Sequence, residues 1–143
     1  MRISRPQRTT LIVVATVLLF QVNWGDPLAA AVVILLFCVV SAGASMLVGA
    51  ALRNESQAGG AGIGLGIGMA ALGGSMVPLE IFPEGMRPIA FLTPHAWANE
   101  AMAELVRRDG GLADVLTEVA VLAAYAAGLL ALATWRLRVV LTR

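Results

Sequence analysis

The sequence predicts an all-α fold: an integral membrane helical bundle of about four transmembrane helices, with an extracellular amphipathic or re-entrant hairpin before the last span, in a single transmembrane domain over 1–143. Three observations predict it. First, 59% of the 143 residues are hydrophobic and the mean hydropathy is +0.83, above the roughly 45–50% apolar content of soluble domains. Second, only 13% are charged, and most of these lie between long apolar runs that lack the polar face a soluble helix needs. Third, Pro78, Pro83, Pro88 and Pro94 break an apolar stretch without ending its hydrophobicity. Broken apolar backbone at membrane depth is tolerated only where protein or a wet cavity satisfies its polar groups. The region 78–108 therefore reads as a hairpin that dips into the bilayer and leaves on the same side.

The first span is expected over 9–22. It is short for a bilayer core of about 30 Å, so Arg8 is expected to snorkel. Arg2, Arg5 and Arg8 followed by an apolar run also fit a signal peptide, but no small-x-small cleavage site follows. Asn23-Trp24-Gly25-Asp26-Pro27 reads as a tight turn, with Trp24 at the interface, Asp26 as helix cap and Pro27 in the first turn. The second span is expected over 28–52, a polar connector at Arg53-Asn54-Glu55-Ser56, and the third span over 57–77. After the hairpin, an amphipathic stretch from Trp97 to Val106 stops at Arg107-Arg108-Asp109-Gly110-Gly111. The fourth span is expected over 112–135, with Asp114 and Glu118 at its entrance.

Arginine placement orients the bundle. Arg2, Arg5, Arg8, Arg53, Arg136, Arg138 and Arg143 fall on one side, and Arg87, Arg107 and Arg108 on the other. The positive-inside rule then puts both termini and the Arg53 connector in the cytoplasm, in a multi-pass protein of the plasma or inner membrane.

Small residues mark packing faces. Gly60, Gly64 and Gly68 share one face of the third span at four-residue spacing; Gly62 and Gly66 lie on another. Ser41, Ser45 and Gly49 repeat that spacing on the second span. Helices in lipid associate by close backbone approach, so the third span is expected inside a bundle rather than at its rim. Phe82, Phe91 and Trp97 are expected to anchor the hairpin at the membrane interface. Glu100 and Glu104 precede Arg107 and Arg108 at helical spacing, as on a solvated helix face. Glu118 is expected near the interface or facing a polar interior, with one of the outer arginines as a candidate partner.

Catalytic chemistry finds no footing. There is no lysine and no phosphate-binding glycine loop, so no nucleotide site and no cofactor is expected on this chain. His95, the only histidine, lacks companion ligands and reads as an interfacial hydrogen-bonding group. Cys38, the only cysteine, reads as a small packing residue. No Ser-His-Asp set is present. The net charge of +1, with no basic stripe, gives no support to nucleic-acid binding.

Gly73-Gly74-Ser75-Met76-Val77-Pro78-Leu79-Glu80-Ile81-Phe82-Pro83, followed by Ile89-Ala90-Phe91-Leu92-Thr93-Pro94-His95-Ala96-Trp97-Ala98-Asn99-Glu100-Ala101, resembles the C-terminal half of an ABC-2-type transporter permease. The stretch from Leu47 to Ala58 is similar to the connector between that family's fourth and fifth spans. The resemblance implies a permease subunit, without enzymatic activity, of an ATP-driven ABC-type exporter working by alternating access. ATP would be held by a separate cytoplasmic ABC ATPase, and a second permease copy would complete the path. It further implies an extracellular hairpin gate carrying Gly73, Gly74, Pro78, Phe82, Pro83, Pro94 and Trp97, and an ATPase-side contact at Arg53 and Glu55. Such permeases usually have six spans; by order of motifs the four here would be the third to sixth. Two other functions stand beside this one: a non-transporting membrane assembly or interaction protein, and a small proton-coupled oligomeric exporter relying on Glu118.

Overall fold

A computed structural model describes residues 25–52 and 54–141. The expected first span at 9–22 and Arg53 lie outside the described residues. Among the described residues the chain is all-helical, as expected, with no strand. Helix α1 is Pro27–Ala51, α2 Glu55–Leu72, α3 Arg87–Ala90, α4 Pro94–Arg107 and α5 Leu116–Leu141, with a 3₁₀ turn at Leu79–Ile81.

Local chemistry sets the helix ends. The Asp26 carboxylate accepts from the backbone N–H groups of Leu28 and Ala29, with Pro27 at the first helical position. The Asn54 side chain accepts from Gln57 N–H at 2.7 Å, and Glu55 supplies a negative charge in the first turn of α2. Thr93 caps α4 and Pro94 opens it. The last helix starts later than the sequence suggests. Residues 112–115 form turns, and the Asp114 carboxylate accepts from Gly111 N–H at 2.8 Å, which fixes a turn rather than a helix start. At its far end α5 runs past Trp135 through Arg136 and Arg138, because nothing there breaks the helix.

Two helices, Pro27–Ala51 and Leu116–Val140, are long and apolar enough to cross a membrane. The third expected span differs. Helix α2 stops at Leu72, and Gly73 to Val77 form a turn, so the helix is 18 residues long and carries Glu55, Ser56 and Gln57 in its first turn. It falls short of the length and hydropathy that mark the other two.

Helices α1 and α5 form the most extensive interface. They run side by side in the same direction: Ala29, Ala30 and Val33 pack with Val115 and Leu122, while Gly43 lies against Leu129 further along. Val33, Leu105, Val115 and Leu122 are the largest fully buried side chains. Gly43 makes the close approach possible. A Cβ there would stand 3.0 Å from Leu129 Cβ and 3.3 Å from Leu130 N, and such backbone proximity is how helices adhere without a hydrophobic driving force.

Helix α4 packs against both long helices, with Ala101 and Leu105 buried among Ala29, Ala30 and Val33. It runs against the direction of α1, and its first turn brings His95 to Phe37 at 4.9 Å between ring centroids. Phe37 is ten residues into α1, about 15 Å from its start at 1.5 Å per residue. Leu92 meets Tyr125 of α5 at a similar distance from that helix's start. The segment 92–95 therefore sits well down the length of both long helices.

Helix α2 returns along α1 and buries none of its residues within the chain. Among the described residues α2 therefore lies at the rim, where an interior helix was expected. Its apolar and small residues are spread evenly around the axis, so no single face is driven inward.

Gly43→Leu is expected to force α1 and α5 apart and cost about 1–3 kcal/mol, read as a lower melting temperature of the detergent-solubilised protein. Gly49→Leu, where an added Cβ meets nothing within 4 Å, is expected to leave it near the parent value.

Candidate functional site

The hairpin between α2 and α5 is the candidate site, and its backbone carbonyls explain its shape. Helix α2 ends where Gly73 passes so close to Thr93, His95 and Ala96 that no Cβ fits. The Gly73 carbonyl accepts from the Asn99 side-chain amide at 2.7 Å, and the same amide reaches Ser75 Oγ at 3.0 Å. Gly74 then reverses the chain at φ 87°, with Leu79 packed against it. At the bottom of the hairpin three successive carbonyls find separate donors. Thr93 Oγ1 donates to Ala90 O at 2.8 Å, Trp97 Nε1 to Phe91 O at 2.8 Å, and Tyr125 Oη to Leu92 O at 2.9 Å. Ala90 O also accepts from Thr93 N–H at 2.9 Å; without their side-chain donors the Phe91 and Leu92 carbonyls would carry the desolvation cost of an unpaired polar group.

The hairpin has a small core of its own: Leu79, Ala90 and Ala96, with Phe82 and Phe91 against them. Pro78 precedes the 3₁₀ turn, and the Pro83 carbonyl accepts from Met86 N–H at 2.8 Å to turn the chain toward α3. Thus Gly73, Gly74, Pro78, Phe82, Pro83, Pro94 and Trp97 do meet in one folded unit. The aromatic residues play a different part from the expected one. Phe91 and Trp97 stack edge to face at 4.9 Å, and all three aromatics turn inward. They do so because the hairpin needs internal bulk and Trp97 has a carbonyl to bond. The apolar groups it exposes are aliphatic, chiefly Ile81 and Leu92 at 71% and 73%, with Ile89 and Met86 beside them.

Ion pairs lock the far end of the hairpin. Arg107 reaches across to Glu80 at 2.5 Å, and Arg108 pairs with Glu104 and Glu100. Only the Arg108 pairs follow the same-helix reading; the Arg107 pair joins the 3₁₀ turn to α4. The backbone N–H of Glu80 holds its carboxyl below the usual carboxylate range, against the opposing effect of burial and with help from Arg107. The hydrogen bond and charge of Glu104, then the charge of Glu100, push the Arg108 guanidinium up.

The small-residue faces separate. Gly62 and Gly66, with Leu65 and Met69, face a cavity shared with α1, α5 and the hairpin bottom. A Cβ at Gly60, Gly64 or Gly68 would meet nothing within 4 Å among the described residues. On α1, Ser41 and Ser45 face the same cavity, and the Ser45 hydroxyl donates to Ser41 O at 2.8 Å. Gly49 lies instead at the α1–α2 turn beside the exposed Glu55. The close helix contact uses Gly43, which the four-residue spacing passes over; its signal is the all-small run Ser41-Ala42-Gly43-Ala44-Ser45, of which it is the centre. Cys38 is exposed rather than packed, at the edge of a groove between α1 and α4. Glu118 sits in the first turn of α5 with one carboxylate oxygen buried and unpartnered, so the expected outer arginine does not reach it. Among the described residues no cluster of His, Cys, Asp and Glu is placed to hold a metal ion.

Asn99→Ala is expected to destabilise the hairpin by about 1 kcal/mol, seen as faster amide exchange at Gly73 to Ser75. The Glu80 carboxylate favours the folded form above its unfolded pKa of 4.5, and its contribution fades as pH falls through the lower folded value. Proteolysis after Arg107 and Arg108 is therefore expected to quicken below that pH, and Glu80→Gln to be proteolysed at the faster rate throughout.

Comparison with known proteins agrees with this architecture. The linearmycin resistance permease protein LnrN of Bacillus subtilis (strain 168) is 29% identical over 117 residues, which are 82% of this chain and 30% of that protein. The chain thus spans about a third of the length of this relative. No solved structure matches. Residues 9–135 match the ABC-2 family transporter proteins, and with its two membrane-length helices and the folded hairpin between them, the chain belongs to that family of membrane permeases.

Proposed function

We propose that this chain is a membrane-spanning permease part of an ATP-driven ABC-type exporter that forms a substrate path by alternating access. The observation that carries the reading is the hairpin whose lowest segment, 92–95, lies about 15 Å along the flanking helices. That is near the middle of a hydrocarbon core of about 30 Å. A backbone turn there is tolerable because its carbonyls have protein donors. Arginine placement puts the hairpin's open end outside the cell and both termini in the cytoplasm, with 78–108 acting as the outer gate.

This chain makes and breaks no bond. It has no phosphate loop, so ATP is bound and hydrolysed by a separate cytoplasmic ABC ATPase. The exposed Glu55, with Arg53 beside it in sequence, is the contact offered to that partner. The face carrying Gly60, Gly64 and Gly68 is open among the described residues and packs on a second permease copy, so that α2 lines or flanks the seam. Closure of the ATPase dimer tilts the permease helices, and the gate opens outward. The relative's printed name concerns resistance, which fits an exporter.

Affinity purification from the native host is expected to recover a cytoplasmic ATPase in stoichiometric amount; its absence favours a membrane assembly protein. Gly64→Leu is expected to cut dimer recovery and ATP-dependent export at least about tenfold, with normal export counting against a seam on this face. A cysteine placed at Gly85 is expected to react with an impermeant thiol reagent from outside intact cells, and labelling only after lysis reverses the orientation.

A further inference from the structure

We propose that the open-sided cavity bounded by α1, α2, α5 and the bottom of the hairpin binds an uncharged lipophilic molecule, seated with a single hydroxyl or carbonyl against His95. The cavity holds about 370 Å³, within the range of roughly 300–1,000 Å³ typical of small-molecule sites. It exists because α2 brings Gly62 and Gly66 to it, where side chains would otherwise stand. A Cβ at either position meets no atom within 4 Å. The walls are apolar, with Phe37, Val40, Val48, Leu65 and Met69 prominent.

Polarity is confined to a few groups. Ser45 is already bonded to the α1 backbone, the Tyr125 hydroxyl proton is committed to Leu92 O, and Ser41 adds a second hydroxyl on the α1 wall. His95 is different. Its ring lies edge to face against Phe37, its Nδ1 is buried without a partner, and no hydrogen bond within the described residues engages Nε2. An imidazole set in apolar surroundings with nothing to bond costs stability unless something else bonds it. Among the described residues no carboxylate and no arginine lines the cavity, so a charged ligand there would have no counter-ion from them. An uncharged hydroxyl or carbonyl on a hydrocarbon body meets both requirements. The site lies on the opposite side of α2 from the Gly60, Gly64 and Gly68 face. It needs neither the ATPase nor a second copy, so it stands whether or not the exporter reading does.

The test uses the full chain in phosphatidylcholine nanodiscs with a diazirine-bearing decanol as probe, its adducts mapped by mass spectrometry. Saturable labelling is expected at the Phe37 and Leu65–Met69 segments, competed by decanol but not by decane or by a decyl trimethylammonium ion. Gly62→Leu with Gly66→Leu is expected to reduce it about tenfold while helicity and monodispersity are kept, and Gly64→Leu to leave it unchanged. His95→Ala is expected to weaken decanol about fivefold, the loss of one hydrogen bond, with His95→Gln recovering most of it. Labelling that survives the filled cavity, equal competition by decane, or efficient disulfide cross-linking of two copies through Leu65→Cys would overturn the proposal. Solvent extraction of the purified protein separates the sources. A co-purifying hydroxyl-bearing neutral lipid, lost in the filled variant, makes the occupant a resident of the bilayer. A site that comes empty and takes up decanol is loaded by a free lipophile.

Discussion

A backbone that turns inside an apolar bundle must find donors for its own carbonyls, and the rest of this structure is arranged around that need. The carbonyls of Gly73, Ala90, Phe91 and Leu92 take side-chain donors from Asn99, Thr93, Trp97 and Tyr125. Three of the four donors belong to the hairpin's own descending turn and α4, so the unit largely satisfies itself. The fourth, Tyr125, comes from α5 and sets how far the hairpin enters. In water these bonds would each contribute little, since solvent could replace them. At membrane depth there is no such replacement, and leaving one unmade costs the whole desolvation penalty.

Glycine has two distinct uses here. At Gly43 and Gly73 it removes a side chain so that two backbones can touch, which holds α1 to α5 and α2 to α4. Along α2 it removes side chains where none of the described residues comes near. There the effect is to leave surface unoccupied: one face open to a neighbour, the other hollowed toward α1 and α5. A helix so rich in glycine gives up intrinsic stability, about 1 kcal/mol per glycine relative to alanine. A function that needs vacant space or a mobile helix accounts for keeping it.

The hairpin's aromatic residues illustrate how a sensible pattern misleads. Trp and Tyr favour membrane interfaces because they join an apolar body to a polar tip. The same property suits them to fill a small core while bonding a stray carbonyl, as Trp97 and Tyr125 do. Spacing could not distinguish the two environments. The distinction rests on where Phe91 and Leu92 place their carbonyls, a matter of tertiary position. Likewise Arg107 has a neighbour at helical spacing in Glu104 yet pairs with Glu80, 27 residues away, because the chain reversal at Gly74 brings the 3₁₀ turn alongside α4.

Composition alone determined the class of protein, since apolar runs of this length have nowhere to be but in lipid or in contact with one another. Capping residues such as Asp26, Asn54 and Thr93, with Pro27 and Pro94 after two of them, fixed where helices begin, because those signals act within a single turn. The order of the glycine and proline motifs made the family legible. Tertiary structure decided what depends on distant neighbours: that Gly43, not Ser41 or Ser45, meets α5; that α2 lies at the rim of the described residues; and that His95 meets Phe37 edge to face in the cavity wall. Such contacts arise from how whole helices cross, and no local pattern of side chains encodes the crossing.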